Sequence, residues 1–317
     1  MNKIKSFFKI TGQILMAAFK GFQEDRIMKL SAALAYYTLF SITPLIIIVI
    51  SAAGILYGEN ITVQKQLFGE INELIGQNGA NAIEGLVANA SLSGKSNFAL
   101  TVGIILLIVG GTTIFIEIQD SINLIWKVKA IPKKGWVKLI LNRLVSFSLI
   151  VSLGFLLLVS LIINSIVIGL GAKLEQVFPN INSYILILIN NAITLSVVTV
   201  IFTIIFKVLP DVILKWKTAI IGALFTALLF SLGKYLIGIY IEMSDPGSAF
   251  GSAGSIVIIL VWIYYTAVIL YFGAEFTQAY AEKMDNGIEP SKYAVHLETI
   301  IIQKKVDVLP DQHSEKK

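Results

Sequence analysis

The sequence predicts an all-α, polytopic integral membrane protein, and three observations lead there. The 317-residue chain is 56% hydrophobic and only 14% charged, with a mean hydropathy of +0.80. A soluble domain carries about 25% charged residues, so this chain has too little polar surface to cover itself in water. Six apolar runs reach or exceed the ~20 residues that cross a bilayer core as a helix. Backbone groups in lipid need internal partners, so runs of this length are helices; the ~10-residue alternation of a membrane barrel is absent.

Residues 1–30 read as a cytoplasmic amphipathic segment. Phe7, Ile10, Ile14, Leu15, Ala18, Phe19 and Phe22 recur at helical spacing, with Lys5, Lys9, Gln13 and Lys20 elsewhere on the wheel. That pattern fits a basic helix lying on the inner leaflet or packing on the bundle. A cleavable leader fits less well, because the apolar run 14–19 is short and Lys20, Glu24 and Asp25 follow at once.

Residues 31–281 form the six-helix domain, with spans near 31–57, 98–118, 139–169, 184–208, 218–240 and 255–276. The third is too long for an upright span and must tilt or project into water. Residues 58–97 make the one sizeable outer loop. Val63, Leu67, Phe68, Ile71, Leu74 and Ile75 mark one amphipathic helix there, and Ile83, Leu86, Val87 and Ala90 a second. Asn78-Gly79 supplies the turn of a helical hairpin. Residues 282–317 are polar and mixed in charge, which predicts a mobile cytoplasmic tail. No internal repeat is evident, although three spans plus three would permit an inverted pair.

The net charge is +5, and its distribution is a topology signal. The N-terminal segment, the connections after spans two and four, and the tail together hold 21 of the 25 Lys and Arg residues. Dropping the distal tail leaves 17 on that side against Lys65, Lys95 and Lys173 on the other. Cytoplasmic loops carry such an excess, which places both termini inside. The basic residues are thereby accounted for without a nucleic-acid partner. The chain has no cysteine, which excludes disulfides, thiolate nucleophiles and iron–sulfur clusters, and its two histidines, His296 and His313, both lie in the tail. No His-based metal site or Ser–His pair is available inside the apolar body.

Polar groups inside the membrane are expensive and each needs a reason. Pro44, midway along span one, frees the Phe40 carbonyl; it is either a static packing kink or a hinge lining a cavity. Span four carries Asn190, Asn191 and Thr194 on one side and Ser196, Thr199 and Thr203 roughly opposite, so one cluster can join helices and the other can face a wet cavity. In span five, Ala219, Ala223, Ala227 and Ser231 form a small-residue ladder for close packing. Lys234 either snorkels to the outer interface beside Glu242 and Asp245 or faces the interior as an ion or headgroup contact. A Gly-, Ser- and Pro-rich stretch precedes span six, where Trp262, Tyr264 and Tyr265 sit too deep for an aromatic belt, so their polar tips are expected to point inward. Glu275 lies near the inner end beside Gly273 and Ala274. It is either an inner-surface partner for a lysine or Arg143, or a coupling or gating carboxylate.

Several of these pieces also form a family pattern. The stretch from Ala32-Ala33-Leu34-Ala35-Tyr36-Tyr37 to Ser41-Ile42-Thr43-Pro44-Leu45 resembles the first-span signature of the YihY/virulence factor BrkB family. Asn123-Leu124-Ile125-Trp126, Leu209-Pro210-Asp211, Trp216, Gly222-Ala223, and the run from Phe250-Gly251 through Trp262-Ile263-Tyr264 to Gly273-Ala274-Glu275 are similar to it as well. The resemblance covers roughly residues 20–281. Phe250 departs from it, standing where a tyrosine is more usual. The resemblance implies a six-helix, multi-pass protein of the bacterial inner membrane without a settled activity, with members linked to serum resistance and to envelope lipid handling or transport. It also implies the older label ribonuclease BN, which this sequence opposes: metal-dependent phosphodiesterases need clustered His and Asp ligands.

Two functional classes follow. One is transport or translocation of a small solute, ion or lipid through a cavity between helices, with Pro44, Asn190, Asn191, Thr194, Lys234, Tyr264 and Glu275 as candidate binding or gating residues. The other is a non-transporting envelope scaffold, consistent with the small-residue ladder and the outer hairpin. Neither class needs a cofactor or a metal. Membrane lipids are the expected partners, and a homo-oligomer is compatible with both. Cysteines placed at 60–95 should be labelled from outside and those at 128–136 only from inside. Labelling of 128–136 by an impermeant reagent added outside would contradict the topology.

Overall fold

The computed structural model describes residues 2–39, 69, 113–131, 183–244 and 254–298. Pro44, nearly all of the hairpin 58–97 and the third span lie outside the described residues, as does 299–317 of the tail. In chain order the elements are α1 (Asn2–Glu24), α2 (27–39) and α3 (113–125), β1 (Val128–Ala130), α4 (Ser183–Val208), β2 (Val212–Ile213), α5 (Trp216–Ser244), α6 (Gly254–Met284), β3 (Glu289–Pro290) and β4 (Ala294–His296).

Three of these helices are long and apolar enough to cross a membrane, at Asn191–Val208, Trp216–Tyr240 and Ile256–Met284. They correspond to the fourth, fifth and sixth predicted spans. α6 has 31 residues, about 46 Å at 1.5 Å per residue, against a hydrocarbon core of about 30 Å. Its last two turns continue beyond the predicted end because Thr277, Ala279 and Ala281 remain buried.

Helix ends follow local chemistry. Pro210 cannot continue the hydrogen-bond ladder, and α4 stops just before it. Past α6, Asn286 (φ 64) and Gly287 (φ 94) take left-handed conformations, and the Gly287 amide donates to the Ala281 carbonyl at 3.0 Å. This is a glycine-terminated helix cap. Arg26 (φ 53) and Lys127 (φ 54) are left-handed without being glycine; they mark the α1–α2 junction and the end of α3.

α5 is the hub, packing against α4 on one side and α6 on the other. Ala219, Ala223 and Ala227 are fully buried, while Leu224, Leu228, Leu232 and Leu236 are exposed. The small residues therefore meet protein and the large apolar ones face outward, as helix association in a bilayer favours. Phe202, Phe206, Phe230 and Trp126 fill the core beside them.

The α5–α6 seam is built on two copies of one pentapeptide: Gly222-Ala223-Leu224-Phe225-Thr226 and Gly273-Ala274-Glu275-Phe276-Thr277. Thr277 sits against Gly222 and Thr226 against Gly273, so close that a Cβ on either glycine would overlap the threonine. Each threonine hydroxyl donates at 2.7 Å to the carbonyl of the glycine four residues earlier on its own helix. Phe225 stacks on Phe276 with centroids 3.8 Å apart. Further along, Gly233 receives Tyr265. The helices are thus antiparallel, with Glu275 level with Leu224 and Lys234 level with Tyr265. This five-residue likeness is local to the seam and is not a repeat of the three-span halves.

The beginning of the tail also differs from expectation. Residues 285–298 fold back as two short antiparallel pairings, β1 with β4 (Val128 opposite His296) and β2 with β3 (Val212 opposite Pro290). Flanking backbone bonds extend both pairings: Leu297 N to Lys127 O at 2.7 Å, Ile131 N to Tyr293 O at 2.7 Å and Ser291 N to Asp211 O at 3.0 Å. The segment fastens the connection after α3 to the connection before α5, giving an otherwise helical chain its only described strands.

Gly222→Val and Gly273→Val should each push the seam apart. Overpacking of this kind costs about 1–3 kcal/mol, read as a lowered unfolding midpoint in detergent. Gly238→Ala, where nothing lies within 4 Å of the added methyl, should leave the midpoint unchanged or raise it slightly.

Candidate functional site

With Asp211, Glu275 is one of two buried acids among the described residues. It occupies the middle of its pentapeptide, where the first copy has Leu224, yet the two environments differ sharply. Leu224 is 42% exposed and Glu275 is 4% exposed. The cover is α1: Gly21 lies directly on the Glu275 carboxyl, and a Cβ there would strike Oε2. Ile14 and Ala18 of α1 pack with Phe276 and Ala279 of α6, and Phe22 meets Phe272 edge-on at 5.7 Å. Of the two placements open to the N-terminal amphipathic helix, packing on the bundle is the one seen for this face. Phe8, Met16 and Phe19 remain exposed on the rest of α1.

The charged groups facing Glu275 are Asp25, within hydrogen-bonding reach of it, then Lys127 and Glu24. Lys127 pairs with Asp25, while Glu24 has Lys20 beside it at 3.6 Å. Glu275 Oε1 has no hydrogen-bond partner. One turn earlier on α6, the Tyr271 hydroxyl is buried and unpartnered, facing Ser121 and Glu117. Ser31 Oγ on α2 is also buried without a partner.

A polar latch holds this end of the bundle. Asn123 Nδ2 donates to Asp211 Oδ2 at 2.8 Å, and the Asp211 backbone N–H donates to Asn123 Oδ1 at 2.9 Å. The two inner motifs quoted for the family resemblance therefore meet, 88 residues apart in the chain. Trp126 Nε1 donates to the Ala274 carbonyl at 3.0 Å, which sets the α3 turn beside Glu275 and brings Lys127 to Asp25. At the end of α6, Thr218 and Lys215 bond Asp285. The Thr218 hydroxyl, with help from Lys215, holds that carboxyl below the usual aspartate range.

The predicted site residues do not gather into one place. Asn190 lies on α4 with its side chain outside the described residues; Asn191 is exposed and Thr194 half-buried. The opposite cluster turns inward on its own helix, since Ser196, Thr199 and Thr203 donate to the carbonyls of Ala192, Leu195 and Thr199. Such back-bonding satisfies a hydroxyl without a neighbouring helix or water. Lys234 and Tyr264 are half-buried toward the far end of the seam. The seam register puts Lys234 about ten residues from the level of Glu275, roughly 15 Å along the axis, so the two form no direct pair. Tyr265 meets the expectation of an inward tip, reaching the Leu229 carbonyl at 3.4 Å. Gly21, Asp25, Ser31, Asn123, Lys127, Asp211 and Tyr271 join the site only through the fold. The repeated pentapeptide was the sequence signal pointing to position 275 as the odd one out.

A family model described as "Virulence factor BrkB" matches residues 18–296, ending at the last residue of β4 and so including the folded-back segment. A "UPF0761 membrane protein" of Alcanivorax borkumensis is 27% identical over 291 residues, covering 88% of this chain and 61% of that protein. One of Pseudomonas aeruginosa is 27% identical over 263 residues, covering 80% of this chain and 59% of its own. One of Alteromonas mediterranea is 23% identical over 295 residues, covering 90% and 95%. The chain thus spans about three fifths of the first two relatives' length and nearly all of the third. No solved structure matches it. With a family model spanning most of its length, this chain is a membrane protein of the virulence factor BrkB family.

Proposed function

We propose that the protein is a six-span protein of the bacterial inner membrane, with both termini cytoplasmic. It passes a small solute, an ion or a lipid through a polar space between its helices. Its partners in this reading are membrane lipids and the transported species, and it performs no enzymatic chemistry, uses no cofactor and binds no nucleic acid.

One observation carries the transport reading. Ser31 Oγ, the Tyr271 hydroxyl and Glu275 Oε1 are buried on α2 and α6 and have no hydrogen-bond partner. An unsatisfied buried polar group costs about 1–3 kcal/mol, and more when charged. A bundle that only had to pack would be more stable with apolar residues there. Groups that bond a passing solute, proton or headgroup offset that cost during their working cycle. The scaffold reading keeps its own support in the tight Gly–Thr seam and the self-bonded hydroxyls of α4, both of which favour a dry interior.

Liposomes containing the purified protein, assayed with a panel of ions and labelled lipids, separate the two. Transport predicts a protein-dependent flux that Glu275→Gln abolishes and Tyr271→Phe reduces, with folded yield unchanged in both variants. Absence of flux across the panel, together with full biological activity of Glu275→Gln in cells, would leave the scaffold reading in its place.

A further inference from the structure

The cover over Glu275 rests largely on a cluster of its own. α1 seats through Ile14, Ala18, Phe276 and Ala279, while its last turn, at Phe22, packs against the main core that joins α2 to α6. A small satellite cluster is the kind of unit that opens locally while the rest stays folded. On its other side α1 exposes Phe8, Met16 and Phe19 with Lys9 and Lys20, so it can leave α6 and still remain at a membrane surface.

The chemistry under that cover is unbalanced. Asp25 and Glu275 are neighbouring carboxyls, and the cation facing them, Lys127, is bound to Asp25. Glu24 is a further acid of α1, exposed and paired with Lys20. α5 contributes Leu224 at this level and no charge. Glu275 itself is more than nine-tenths buried, with Oε1 unpartnered and the α1 backbone at Gly21 pressed against Oε2. Asp25 is only part-buried, but two carboxylates side by side, one of them buried, cannot both ionise cheaply. Neither has a hydrogen to donate to the other unless one proton is present between them.

We propose that Asp25 and Glu275 form a one-proton binding site beneath α1, and that the bound proton keeps α1 seated on α6. With the proton in place, one carboxyl donates to the other and the pair carries a single negative charge, matched by Lys127. When the proton passes to water, two carboxylates face each other under the Gly21 backbone, and their repulsion is relieved by α1 lifting. Protonation is linked to seating, so seating is favoured in acid and lost in alkali. The inference stands apart from the transport reading, because it concerns the position of α1 and not any flux.

The cysteine-free chain allows a direct test. Spin labels on Met16→Cys and Leu228→Cys, both at exposed positions, report the α1–α5 distance in the full-length protein in nanodiscs. The expected result is a single short distance in mildly acid buffer and loss of that population in mildly alkaline buffer. Glu275→Gln and Asp25→Asn each replace one ionisable group by an amide that still donates a hydrogen bond, and each should keep the short distance throughout. If one variant fails to fold, the other decides. A short distance unchanged by pH in the parent chain, or a pH response that persists in the folded variants, would overturn the proposal. So would restoration of the short distance by sodium but not choline at fixed alkaline pH, which would assign the site to a metal cation.

Discussion

The close approach of α5 and α6 at the paired Gly–Thr contacts is the constraint on which the rest of the described structure depends. Lipid tails are as apolar as leucine, so helices in a bilayer gain little by merely hiding apolar surface from one another. They associate where backbones can come near and polar groups are already satisfied. Gly222 and Gly273 provide the approach, and Thr226 and Thr277 fill the resulting hollows with hydroxyls bonded to their own helices. Nothing at this seam needs water. Once its register is set, α4 has the Ala219–Ala223–Ala227 stripe to pack on and α1 has the far side of α6.

The same near-symmetry throws position 275 into relief. The two helices present equivalent pentapeptides to each other, yet one carries leucine facing outward and the other a buried glutamate. A carboxyl at that position would face lipid if α6 were as bare as α5. α1 prevents this, helped by the turn at Trp126 and Lys127, which anchors to the Ala274 carbonyl and supplies a cation to Asp25. The acid and its cover therefore belong together. The N-terminal helix is part of the candidate site, and the family match beginning at residue 18 takes in its last turns.

The fourth, fifth and sixth spans were legible because apolar length is a direct physical requirement of the bilayer. The stop of α4 before Pro210 follows from a residue plain in the sequence, and the alanine ladder of α5 faces protein as its composition implies. What escaped was whatever depends on a distant partner. The left-handed Lys127 is held where its side chain pairs with Asp25, from the α1–α2 junction. The two- and three-residue strands of 289–296 have no pattern of their own and exist only because connecting loops offer free backbone groups. Span-four hydroxyls are ambiguous in sequence, since bonding back to the same helix or across to another uses the same residues. The repeat of Gly-Ala-x-Phe-Thr was present in plain letters, but it is five residues long in helices of 29 and 31. Its significance appears only when the helices run antiparallel.

The register of that seam in the membrane is the claim everything else inherits, and cysteine cross-linking in native vesicles tests it directly. Gly222→Cys with Thr277→Cys should form a disulfide under mild oxidation, while Gly222→Cys with Gly273→Cys, one turn away, should not. Cross-linking of the displaced pair in preference to the aligned one would contradict the account, because Glu275 would then no longer lie level with Leu224.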